Sequence, residues 1–452
     1  MTPRTTSVPM PMTGAPAGPS GPAGAVAAAG AVAVGKPRTP TPRRLRLFAV
    51  LLVPLAALLA AATWIRVDQA GREADVLRDR RLPAVVALEQ VAAALTEADR
   101  AAGRELVSGA FPLTGPGTDY QDAVKTAGQA LADARDNLGP GSAARLRAVD
   151  GLIVEYTGLV GVAQSGREGP LAVAGIVYAS DLLHAPDAGI LVRLAELRDA
   201  ELAEMHKTRD GYWTSQAAIL PFAACAVGAF VLLLWASLYI RRRFRRHLNI
   251  PLLVALAAVL VLSGWNGANA ARTAERMDSG AGGGTTRVTE LWQARTAVQR
   301  VVGAETLALA TRGVGADHRA AADAALARIA GPAVPDPETR RDATAMAAVV
   351  AELRARGYGP EPGPGADLTP RDPETVRRLA GGAPDSLAGL AAHADEELGS
   401  SAATARRTAD RDLGQAAADQ GLAVGGPVLC AVVLGAGLWG LWRRYDEYRT
   451  GG

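Results

Sequence analysis

The 452-residue chain is 49% apolar yet only 4% aromatic, and its formal net charge is +3. Both cysteines, Cys225 and Cys430, lie inside long apolar runs, which excludes a disulfide-stapled scaffold for everything between those runs. The basic surplus is concentrated in short segments flanking the runs, so it points to anionic lipid headgroups and gives no footing for nucleic acid.

Residues 1–42 are rich in Pro, Ala, Gly and Thr with little to bury, and they read as a disordered cytoplasmic head. Residues 43–65 form the first of four stretches long enough to cross a bilayer, a length of about 20 apolar residues. The others are 216–240, 250–271 and 422–442. Ala60-Ala61-Ala62 also fits a leader cleavage site, but the length of the run favours a retained anchor. Six of the seven tryptophans, all but Trp292, sit at or near the ends of these runs, as an aromatic belt requires. Ala224 with Gly228 and Ala436 with Gly440 are small-residue pairs suited to close helix packing.

Charge orients the spans. The head carries basic residues and no acid, and the loop 241–249, RRRFRRHLN, holds Arg241, Arg242, Arg243, Arg245 and Arg246. The tail 443–452 is also net basic, whereas 66–215 and 272–421 are net acidic. The positive-inside rule therefore predicts a multi-pass protein of the cell membrane, with both termini and the Arg-rich loop cytoplasmic.

The outer segment 66–215 reads as helices throughout. The first continues out of the first span to about Gly109, and FPLTGPGTD breaks it. A helix follows from Tyr120 to Asn137, and Ser142 is the predicted N-cap of the next. Leu146, Val149, Ile153, Tyr156 and Val160 then recur at the spacing of a bundled helix. A turn at Gly166–Pro170 leads to a last helix that enters the second span, with Pro186 as its break. The segment 272–421 follows the same plan: Met346, Val349, Val350 and Leu353 mark one helical face, and GYGPEPGPGADLTPRDP is a break. SGAGGG at 279–284 interrupts its first helix and reads as a hinge or break. The expected fold is all-α, with two duplicated outer helical bundles.

Duplication rests on two matches. Leu191, Leu194, Ala195, Asp199, Glu201 and Leu202 repeat as Leu387, Leu390, Ala391, Asp395, Glu397 and Leu398. Arg100, Gly103 and Glu105 repeat as Arg300, Gly303 and Glu305. The first motif has the form of a packing stripe, with Asp199 and Glu201 expected to face water. From the second, Arg100, Glu105, Arg300 and Glu305 are candidate binding residues, since an arginine there could hold a carboxylate or close an internal ion pair.

No catalytic constellation is present: none of the five histidines has a paired spacing, GAGGG lacks the Lys-Ser/Thr ending of a phosphate loop, and no hydrolase or kinase motif occurs. His393 and Glu397 share a helix face but read as solvated. The spans hold no Asp, Glu, Lys or Arg between their ends, which argues against a carrier. Neither an enzyme nor a metal or cofactor is expected.

Each half resembles the outer four-helix sensory modules of bacterial chemoreceptors and sensor histidine kinases, without their large cytoplasmic signalling domain. The whole chain, with four spans, paired outer bundles and a basic cytoplasmic head, resembles the four-span membrane protein of the actinobacterial protein kinase G pathway. That resemblance implies a relay between an extracytoplasmic solute-binding lipoprotein, which binds glutamate, glutamine or aspartate, and a cytoplasmic Ser/Thr kinase. It carries no residue signature. The architecture allows a homodimer, and a non-catalytic envelope scaffold is the alternative reading.

Overall fold

The computed structural model describes residues 41–108, 117–139, 141–165, 170–214, 216–244, 249–311, 316–331, 334, 337–356, 373–421 and 425–450. The head up to residue 40, the breaks at 111–116, 166–169 and 357–372, and Arg245 and Arg246 lie outside the described residues. Among the described residues every regular element is helical.

Helix α1 (Thr41–Val76), a π-helical segment π1 (Leu77–Arg81) and α2 (Leu82–Ser108) form one unbroken rod. The apolar part of this rod and its outward extension, Arg46–Ser108, number 63 residues, roughly 95 Å at the helical rise. Helices α3 (Thr118–Asn137), α4 (Ala143–Ser165), α5 (Pro170–His184) and α6 (Ile190–Thr214) complete the first outer segment. Helix α7 (Gln216–Phe244) returns through the membrane, and α8 (Ile250–Met277), π2 (Asp278–Gly284) and α9 (Thr285–Ala310) build a second rod. Then come α10 (Ala316–Ile329), α11 (Pro337–Ala355), α12 (Pro373–Ala380), α13 (Leu387–Gly421) and α14 (Gly425–Thr450).

Helices α1, α7, α8 and α14 hold the four apolar windows and pack in a ring, each touching two neighbours. Phe48 meets Trp235 edge to face at 5.2 Å, and the Asn249 side chain donates to the Gly440 carbonyl at 3.2 Å. Close approach depends on small residues: a Cβ on Gly440 would lie 3.2 Å from Leu252 Cγ, and one on Gly437 2.5 Å from Leu52 Cδ2. At most 33% of any span's apolar window is buried, so Leu51, Leu58, Val231, Leu260 and Val432 point outward uncovered. Apolar surface of that extent needs hydrocarbon around it, and an α-helix satisfies its own backbone there. The protein is an all-α, multi-pass membrane protein. Helix α7 runs on through the first arginines of the Arg-rich segment, Arg241 to Arg243, because arginine is a good helix former and cations suit a helix C-terminus.

Outside the membrane the two halves share one core. Leu88, Val91 and Leu95 of α2 and Val298, Val301 and Val302 of α9 belong to a single cluster that also takes in Tyr156, Ile176, Met346 and Leu398. The face predicted on α4 is buried at Leu146, Val149, Tyr156 and Val160, and that on α11 at Met346, Val349, Val350 and Leu353. The chain breaks between α5 and α6 at residues 185–189, where Pro186 stands.

Two expectations are corrected. The SGAGGG stretch does not break the helix: it is π-helical and continuous with α8 and α9, and its glycines let α13 approach. A Cβ on Gly280 would stand 2.9 Å from Leu413 Cγ, and one on Gly284 2.9 Å from Ala409 Cβ. Glu201 does not face water. It is buried, ion-paired with Arg81 of π1 and hydrogen-bonded by the Ser142 hydroxyl at 3.0 Å. Ser142 does sit just before α4, but its hydroxyl serves Glu201. Asp199 is exposed beside Arg198.

Just above the membrane, polar ties join the halves reciprocally. Arg78 of π1 reaches Asp410 of α13 at 3.0 Å, and Arg209 of α6 reaches Asp278 of π2 at 2.9 Å. Leu77, Met205, Ala281 and Leu413 fill the space between these four elements.

Gly284→Val should lower the stability of the detergent-solubilised protein by about 1–3 kcal/mol, the usual cost of overpacking, in thermal or denaturant unfolding. Gly283→Ala, whose Cβ meets nothing within 4 Å, should be neutral or stabilising by up to about 1 kcal/mol.

Candidate functional site

Helices α2 and α9 both run outward from the membrane and lie against each other around the paired glycines. A Cβ on Gly103 would come 3.3 Å from Thr306 Cγ2, and one on Gly303 3.9 Å from Arg100 Cα. The sequence match of Arg100, Gly103 and Glu105 with Arg300, Gly303 and Glu305 therefore falls at one contact. A cleft opens on each side of it, one holding each arginine.

The first cleft, about 650 Å³, lies between α2, α3, α9 and α13. Its arginines are matched internally. Arg100 is bound by Glu97 one turn earlier, with Nε at 2.9 Å. Arg295 grips Asp395 through two hydrogen bonds of 3.0 and 2.6 Å and stacks 4.7 Å over the Trp292 ring. Arg104 pairs with Asp119 at the start of α3.

The second cleft, about 470 Å³, lies between α2, α5, the turn after it, α9 and α10, and includes Asp99, Ser180, His184, Arg300, Asp317 and His318. Asp99 is only 4% exposed and takes both its contacts on Oδ2, from the Ser180 hydroxyl at 3.0 Å and His184 Nε2 at 3.3 Å. Arg300 is half-buried and has no hydrogen bond or ion pair among the described residues. Burial, and then repulsion by Arg328, lower its pKa, while Asp99 pulls the other way. Behind Asp99, the hydroxyls of Tyr120 and Tyr156 and the Nδ1 of His184 are buried without partners.

The two glutamates leave the clefts. Glu305 is fully buried and bound by Arg354 of α11, which also reaches Asp323 at 2.9 Å. Glu105 abuts Gly117, whose backbone N–H it accepts, and a Cβ at Gly117 would occupy the carboxylate's place. Its other oxygen, Oε2, is buried without a partner, and burial pushes its pKa up. Of the four nominated residues, the arginines line clefts and the glutamates tie helices together.

Sequence reasoning missed Asp99, Ser180 and the role of His184. The available signal was Asp99 itself, an acid placed among the small apolar residues of ALTEADRAAG where a solvated helix face would not lie. Arg241 and Arg242 stand exposed at the end of α7. His393 faces Asp342 at 3.9 Å, and among the described residues no cluster of three or more metal-ligating side chains occurs.

Residues 73–210, from the last turn of α1 to the end of α6, match the family described as the actinobacterial sensor domain. No curated protein and no solved structure matches the chain significantly. The matched region contains Asp99, Ser180 and His184 and therefore one wall of the second cleft. A sensing role for this outer region follows from that match.

Because the Glu105 pKa is raised on folding, its ionisation opposes the folded state. That cost is absent below the ordinary carboxylate range and grows as pH rises through the raised value. Glu105→Gln should therefore raise the melting temperature at pH 7–8, by about 2–4 °C, and lose that advantage near pH 4, in unfolding scans across pH.

Proposed function

We propose that this protein is a non-catalytic membrane receptor. On this reading it passes the state of an extracytoplasmic ligand, or of a solute-binding lipoprotein carrying glutamate, glutamine or aspartate, to a separate cytoplasmic partner such as a Ser/Thr kinase. The observation that carries this reading is mechanical. Two unbroken helices run from the membrane ring to the contact at Gly103 and Gly303, beside which both clefts open, so a change at the clefts is a change in the rods. The sensor-domain match over 73–210 supports the same reading.

A duplication of span, outer helices and span explains the arrangement. π1 begins 13 residues after Trp64 and π2 begins 13 residues after Trp265. The reciprocal ties Arg78–Asp410 and Arg209–Asp278 each join the first helix of one half to the last of the other, as a twofold-related pair would. Basic flanks put both termini in the cytoplasm, with Arg241 and its neighbours set to meet anionic headgroups and a cytoplasmic partner. The chain works as a monomeric tandem or as a homodimer of such tandems, and nucleic acid has no place in it.

One surface favours the scaffold alternative. The α4–α5 hairpin leaves Val154, Val162, Leu171 and Tyr178 exposed, a patch suited to another protein. Ligand dependence separates the readings. Crosslinking the membrane-embedded protein and identifying its partners by mass spectrometry should recover a solute-binding lipoprotein and a kinase in amounts that change with amino acids. Envelope proteins alone, unchanged by any ligand, would leave only the scaffold. Asp410→Ala should cost no more than about 1 kcal/mol of stability, since both partners of its ion pair are partly exposed, yet should blunt the ligand-dependent change in partner recovery.

A further inference from the structure

The second cleft combines charges that no simple ion satisfies. Arg300 offers an unpaired, half-buried guanidinium, which calls for an anionic group, and a carboxylate matches its paired donors. Across from it, Asp99 keeps Oδ1 free of any protein partner, since its two contacts both fall on Oδ2. Asp99 is an acceptor, so His184 Nε2 carries the shared proton. Asp181 and Asp317 stand exposed at the rim. A purely anionic ligand would meet three carboxylates, whereas a purely cationic one would leave Arg300 unanswered.

We infer that this cleft binds a free amino acid, with its carboxylate on Arg300 and its ammonium on Asp99 Oδ1. The volume, about 470 Å³, lies within the range of small-molecule pockets, about 300–1,000 Å³. The opposite cleft is not an equivalent site, because Arg100 and Arg295 are already held by Glu97 and Asp395. The chain therefore takes one ligand, not two. The ligand bridges α9, which carries Arg300, to α2, which carries Asp99. It thus reports directly on the spacing of the two rods. This site rests on the reading of the outer helices as a sensing domain, but binding is measured apart from relay.

The test uses the full chain in lipid nanodiscs, with the twenty common l-amino acids offered singly in thermal-shift assays and equilibrium dialysis. At least one should bind saturably at one per chain, and its N-acetyl and carboxamide forms should each bind at least tenfold more weakly. Arg300→Gln and Asp99→Asn should each weaken binding at least tenfold, and Arg100→Gln should leave it unchanged. Without ligand, Arg300→Gln should melt no lower than the wild type, because it removes an unpaired buried charge; a strut would behave in the opposite way. The proposal is overturned if none of the twenty binds, if a blocked form binds as tightly as its parent, or if Arg300→Gln binds normally. Intact binding together with ligand-independent partner recovery would sink the relay and leave the site standing.

Discussion

Gly103 and Gly303 bring the backbones of α2 and α9 close together, and most of the outer architecture depends on that contact. Two rods held at this distance bury Val91, Leu95, Val298 and Val302 in one core, so neither half has a separate interior. The same approach leaves a cleft on each flank, because α3 and α10 pack on opposite sides of the pair. A Cβ at Gly103 would crowd the Thr306 methyl at 3.3 Å, whereas one at Gly303 would meet Arg100 at an ordinary 3.9 Å.

The polar groups around this contact divide by whether they are answered. Glu89 with Arg198, Glu201 with Arg81, and Glu305 with Arg354 are buried or half-buried pairs across helices, and each fixes one helix against another. A buried pair is weak evidence for stability but strong evidence for register, since losing one partner strands the other. Arg300 is the departure from that pattern. It lines a cleft together with Asp99 and His184 and has no hydrogen bond or ion pair among the described residues.

The spans and their number were readable from the sequence because a charge-free run of about 20 apolar residues has few other uses. Helix faces such as Leu146–Val160 were readable because their spacing is local. What could not be read was which faces meet. Asp99 and Arg300 are two hundred residues apart, and their shared cleft exists only after α2 and α9 pair. Glu201 looked solvated because its partner, Arg81, lies on a different helix. SGAGGG looked like a hinge because glycine weakens an isolated helix, and only the neighbouring Ala409 and Leu413 show why it is retained. The arginines of the repeated motif were identifiable as a pair from their surroundings, but their unequal fates were not.

The π segments set the size of the smallest step a rod could take. Each rod contains turns wound with more residues than an α-turn, placed between the membrane ring and the clefts. Rewinding such a segment by a single residue would turn the span below it by about 100° and slide it by about 1.5 Å. The rods thus contain a fixed increment, like the tooth of a ratchet. A span turned by that increment would present a different face to its neighbours in the ring.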